Sequence, residues 1–223
     1  MAGGAQGSEY IRGLGATGDP RVIAGIAAGA ERLWPGDMER YCLTYRDLLQ
    51  GMLNSVSHQS NLQTVEATVN PVLVKKEAEV SEHSRDLVSI QGLAIRLLAR
   101  TATRAGPLGG VRLQVVDRCL DYLDAWRKEI RPEYNKPCMN FNVMIGGTDA
   151  AAQEARIKLA DAERIAHRQN LLSERQWAIE REVGADAFWI KCFLRDLEKQ
   201  NPELLKDDAA RMKRASDLAG MGR

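Results

Sequence analysis

Apolar residues return every three or four positions along most of this chain, the rhythm of amphipathic helices. It is clearest in residues 38–58, where Tyr41, Cys42, Tyr45, Leu48, Leu49, Met52, Leu53 and Val56 fall on one stripe. Trp34-Pro35-Gly36-Asp37 breaks the chain just before that run and supplies Asp37 as a cap. A shorter helix precedes it, opened by Asp19-Pro20, an N-cap followed by proline at the first helical position. Its Gly25 and Gly29 are expected to admit a closely packed neighbour. Asn70-Pro71 is expected to start a third and longer helix that ends near Arg104, with Leu87, Ile90, Ala94, Leu97, Leu98 and Thr101 turned inward. After Gly109-Gly110 a fourth helix carries Val116, Cys119, Leu120, Leu123, Trp126 and Ile130 at the same spacing, and Arg131-Pro132 stops it.

Between Pro132 and Gly147 the period changes. Met139, Phe141, Val143 and Ile145 alternate with Asn140, Asn142 and Met144, the mark of a short strand at 139–145. A single strand leaves its backbone groups unpaired, so these residues are candidates for protein–protein contact. Thr148-Asp149 then begins the longest helix, expected to reach Val183 with a stripe through Ala155, Leu159, Ala162, Gln169, Gln176 and Ile179. Charges of both signs cover its other faces, as in a coiled coil or helical hairpin. A further amphipathic helix from Ala185 to Gln200 carries Phe188, Trp189, Cys192, Phe193 and Leu197, and Asn201-Pro202-Glu203 caps a last one. Phe188 and Trp189 read first as core and second as a docking patch for a partner. The expected fold is therefore mainly α: a flexible glycine-rich arm at 1–18, a helical domain at 19–131, an extended connector at 132–147 and a charged, coiled-coil-like helical arm at 148–223.

Composition sharpens this picture in two places. Only 5% of the 223 residues are aromatic against 44% hydrophobic, which favours helices over sheets. The net charge of +1 excludes a polycation, so any anion binding must be local. Residues 149–223 hold fourteen basic and fourteen acidic side chains, and this neutral half is a poor phosphate binder. Cys42, Cys119, Cys138 and Cys192 are scattered without CxxC spacing and read as reduced thiols of a cytoplasmic protein. The glycine-rich start lacks the apolar core of a secretory signal, and no run approaches the length of a membrane span, so no membrane contact is expected.

Catalytic and metal chemistry finds little to work with. His58, His83 and His167 stand apart from one another and from the cysteines, no GxSxG elbow occurs, and no metal or other cofactor is expected. Gly146-Gly147-Thr148-Asp149 has neither the GxGxxG pattern nor a P-loop lysine, and reads as a turn with a helix cap. One feature does stand out. From Asp86 to Asp117 thirty residues pass without a carboxylate, and Arg96, Arg100 and Arg104 recur there every four residues, with Arg112 beyond. That spacing aligns them along one flank of a helix. They are either balanced by Asp117, Asp121 and Asp124 of the next helix, or they meet phosphates, with Lys75, Lys76 and Arg12 in support.

The string GDMERYCLTYRDLL, the Asn-Pro step and the closing QGLAIRLLART resemble a segment of phage terminase small subunits. The matching positions are Asp37, Tyr41, Cys42, Tyr45, Asn70, Pro71, Gly92, Leu93 and Arg100, within residues 37–104. The resemblance implies a non-catalytic, ring-forming protein that recognises viral DNA and regulates a separate packaging ATPase and nuclease subunit in the host cytoplasm. The expected function is thus DNA binding by a homo-oligomer through phosphate contacts. The alternative is a structural or adaptor protein that uses its long helix and extended segment to join a larger assembly.

Overall fold

The structure, a computed structural model, describes residues 3–57, 61–104, 112–131, 134, 148, 150–200, 202–205 and 209–220. These form eight α-helices and a short 3-10 turn, with no strand among the described residues. The helices are α1 (Gly3–Ala16), α2 (Pro20–Glu31), α3 (Met38–Asn54), α4 (Leu62–Leu73), α5 (Ser84–Ala102), α6 (Leu113–Glu129), α7 (Ala150–Gln200) and α8 (Ala209–Ala219), the turn lying at Pro202–Leu205. The strand expected at 139–145, with Met139, Phe141, Val143 and Ile145, lies outside the described residues, as do His58, Cys138 and Asn201.

α5 is the centre. It packs on α3, α4, α6 and α7, and its side chains from Leu87 to Thr103 are buried apart from Ser89, Arg96 and Arg100. The inward stripes of α3, α5 and α6 are those the spacing marks out: Tyr41, Tyr45, Leu48, Ile90, Leu97, Leu98, Leu120 and Leu123 are all fully buried. The caps follow the sequence as well. Asp19 accepts the Arg21 N–H at 2.8 Å, and Asp37 accepts the Arg40 N–H at 3.1 Å.

Four expectations change. First, the glycine-rich arm is a helix. At Gly51 a Cβ would lie 2.1 Å from the carbonyl oxygen of Arg12, and at Gly15 one would lie 2.6 Å from that of Leu48, so bare backbones touch where α1 crosses α3. Arg12 then reaches the mostly buried carboxylate of Asp47 at 2.9 Å. Tertiary contact here overrides glycine's poor helix propensity. The same test finds no atom within 4 Å of a Cβ at Gly25 or Gly29, so the close approach expected of α2 occurs instead in α1 and α3.

Second, the stretch expected as one helix from Asn70 to Arg104 is two. Asn61 caps α4 by accepting the N–H groups of Gln63 and Thr64, while Pro71 lies inside that helix, which ends two residues later. Gln91 of α5 satisfies the open end, donating to the carbonyls of Val72 (3.1 Å) and Lys75 (2.9 Å). Third, α7 runs 51 residues without interruption through the break expected at Gly184. Glycine costs about 1 kcal/mol there, which the burial of Ile179, Val183, Ala187 and Ile190 around it outweighs.

Fourth, packing crosses the expected boundary at 132–147. Ala178 to Leu194 of α7, with Ala215 and Leu218 of α8, belong to the same hydrophobic cluster as Tyr41 and Leu97. The first half of α7 stands outside it. From residue 153 to residue 175 no side chain is buried, although the stripe of small and apolar residues continues through this half.

Candidate functional site

The solvent edge of α5 is narrow, and the arginines are on it. Because every other flank of the helix is covered, carboxylates are excluded from this stretch by burial, while arginine reaches water by its length. That accounts for the part of the acid-free run that lies on α5, residues 87–103, without invoking a ligand. Each arginine then has its own surroundings. Arg96 lies over the crossing with α7, its Nε 2.7 Å and Nη2 2.6 Å from Oδ1 of the fully buried Asp186, and 3.7 Å from Glu182. The ring of Trp189 sits 6.0 Å from the guanidinium carbon. Arg100 donates to the Leu53 carbonyl in the last turn of α3 at 3.3 Å, a favourable place for a cation. Burial and the neighbouring Arg104 both lower its affinity for the proton. Arg104 follows on the same edge, and the Arg112 backbone donates to Ala102 at 3.0 Å, which brings Arg112 to the same end of α5.

The carboxylates expected to balance this flank do not do so. Asp117 forms a two-point bridge with Arg211 of α8, at 2.6 and 2.8 Å, and Asp121 and Asp124 share Arg214. These three α6 aspartates hold α8; Asp186, the main partner of Arg96, comes from α7, ninety residues away.

The supporting cations are also divided. Lys75 pairs with Glu31 at 2.7 Å and lies 5.3 Å from the Trp34 ring centroid and 5.9 Å from that of Tyr41. Glu31 in turn accepts from the hydroxyls of Tyr45 (2.8 Å) and Tyr41 (3.4 Å). This is a structural cluster joining α2, α3 and the end of α4. Lys76 is exposed.

A different surface emerges on α7. Among the described residues eight large hydrophobic side chains are exposed, and five of them are on this helix: Ile157 (64%), Ile165 (68%), Trp177 (56%), Phe188 (51%) and Trp189 (43%). Phe188, Trp189 and Phe193 form a contiguous aromatic ladder with centroids 6.1 and 6.0 Å apart. Arg181 stacks on Trp177 at 5.2 Å while holding Glu182 and Ser89, so the two exposed tryptophans are each braced by an arginine. Sequence reasoning named Phe188 and Trp189 but missed Trp177, Glu182 and Asp186. The 3-4 spacing of α7 was visible; which faces the rest of the chain would cover was not.

Among the described residues no group of three His, Cys, Asp or Glu side chains is disposed to hold a metal, and no helix is long and apolar enough to cross a membrane. Cys42 and Cys119 are buried free thiols and Cys192 is half-buried. Comparison with known proteins finds no matching family model, no matching curated sequence and no matching solved structure.

Proposed function

We propose that this is a non-catalytic helical protein that assembles with further copies of itself through α7. One observation carries the reading: the first half of α7 extends for about 24 Å from residue 153 to residue 168 without burying a side chain, before Ser173 and Arg175 meet Tyr134 and Glu129, and presents Ile157 and Ile165 to solvent. The ion pairs Lys158–Glu154 and Arg164–Asp161 lie within the helix itself, so they stiffen it without tying it to the core. A helix held rigidly at one end and apolar in places at the other is suited to docking beside another helix. The likeness of residues 37–104 to terminase small subunits would set such an assembly in phage DNA packaging, next to a separate ATPase subunit.

Sedimentation of the wild-type chain beside an Ile157→Glu/Ile165→Glu variant tests this. Both side chains are exposed, so the variant keeps its helix content while losing association. A wild type that stays monomeric from micromolar to submillimolar concentration overturns the reading.

A second reading, phosphate contact, is favoured by the other end of α5. Arg100 and Arg104 lie there, the backbone of Arg112 is bonded to the same end of the helix, and no carboxylate pairs with them among the described residues. DNA contact would then use these three and the exposed Lys76, while Arg12, Lys75 and Arg96 serve the fold. Fluorescence anisotropy with a DNA duplex at low salt decides it: binding that weakens in Arg104→Glu supports the contact, and no binding at low salt removes it.

A further inference from the structure

Asp186 is fully buried at the crossing of α5 and α7, and its two oxygens are treated differently. Both contacts from Arg96 go to Oδ1. Oδ2 is buried without a hydrogen-bond partner and faces the bare backbone of Gly92, where a Cβ would lie only 2.6 Å from it. The same Cβ would lie 3.0 Å from Oε2 of Glu182, so two carboxylates one helical turn apart are wedged against one glycine. The charged and titratable groups around them are few. α5 supplies Arg96 alone; α7 supplies Glu182 and, on its outer side, Arg181; α6 supplies Cys119, a buried thiol that stays neutral.

An ionised Asp186 would leave Oδ2 as an unsatisfied anion beside a second carboxylate, with Arg96 held on Oδ1 and Arg181 engaged on the outer oxygen of Glu182. A protonated Asp186 gives Oδ2 a hydrogen in place of that charge. We propose that the α5–α7 seam is a proton-controlled latch, in which Asp186 carries a proton while the seam is closed and its release to water loosens the seam.

Burial is the largest influence on this carboxyl and raises it, Arg96 lowers it and Glu182 raises it, with the outcome pushed up to about 7 from an ordinary 3.8. The folded protein thus holds a proton that the unfolded chain has released. Stability linked to it is complete below about pH 4, falls as the pH rises, and is fully lost once the pH has passed 7.

The test compares urea unfolding of the wild type and Asp186→Asn from pH 5 to pH 8. Asparagine keeps the shape, can accept from Arg96 and places an N–H where Oδ2 stood. The wild type should lose at least about tenfold in its folding equilibrium relative to Asp186→Asn over this interval, and parallel profiles overturn the proposal. An infrared titration of the wild type gives the answer without relying on the variant's folding. A protonated carboxyl band that disappears on raising the pH toward 8 supports the latch, and its absence at pH 5 overturns it. In Glu182→Gln that band should titrate at lower pH, because a neighbouring negative charge has been removed.

Discussion

Gly51→Ala tests the account of α1 most directly. In an exposed helix interior this change gains up to about 1 kcal/mol, because alanine is the better helix former. Here the new methyl group would stand 2.1 Å from the carbonyl oxygen of Arg12, 2.9 Å from its carbon and 3.1 Å from the nitrogen of Ala16. All three atoms are backbone, so no rotamer change relieves the contact. α1 must move by about 1 Å to restore an ordinary separation, which also pulls Arg12 from Asp47 and opens the approach at Gly15. Overpacking of this kind costs about 1–3 kcal/mol, and α1 is held by little else than its contact with α3 and a smaller one with α2. The expected net result is destabilisation by about 1–2 kcal/mol, or a Tm lower by roughly 2–8 °C. Gly25→Ala is the matched control, since α2 has open space at that position, and it should be neutral or stabilising by up to about 1 kcal/mol. Urea titrations followed by circular dichroism at the helix band measure both. Equal effects of the two substitutions, or a Gly51→Ala protein as stable as the wild type, would refute the backbone crossing.

Three further outcomes follow from the contacts described. Arg96→Met takes the hydrogen-bond partner from the buried Oδ1 of Asp186, while Glu182 keeps Arg181, and should cost about 1–3 kcal/mol near neutral pH and less in acid; a purely solvent-facing arginine would cost almost nothing in denaturant titrations. Tyr45→Phe removes the 2.8 Å hydroxyl contact with Glu31 and should destabilise by about 1 kcal/mol, measured the same way. Among Cys42, Cys119 and Cys192, only Cys192 should react with a thiol reagent at the native state's rate, since burial pushes Cys42 up to about 12 and raises Cys119 as well; prompt labelling of Cys42 under native conditions would contradict its placement.

The helices of the centre were legible because their signal is local. Tyr41 to Val56 and Leu87 to Thr101 show their inward faces in spacing alone, and Asp19 and Asp37 declare their caps. What the sequence hid depends on contacts between distant segments. Glycines at 15 and 51 look like breakers until the two backbones meet, and Gly184 looks like a boundary until its neighbours are buried. Asn70-Pro71 resembled a helix start because proline is welcome there, yet Asn61 held the cap. The arginine flank was located correctly and its acid partners were not, since nothing in the spacing distinguishes Asp117, committed to Arg211, from Asp186, committed to Arg96.

The Arg96–Asp186 contact also sets an order of events during synthesis. Ninety residues separate its two ends, so at about 5–20 residues per second the ribosome needs several seconds after α5 emerges to deliver its cover. During that interval Gly92 and the apolar residues beside it stand open, and the nascent chain must be kept from other chains by a chaperone, or by transient packing of α3, α4 and α6 alone. A gene interrupted between the end of α6 and residue 178 would yield a product with α1 to α6 present and the α7 face of α5 uncovered.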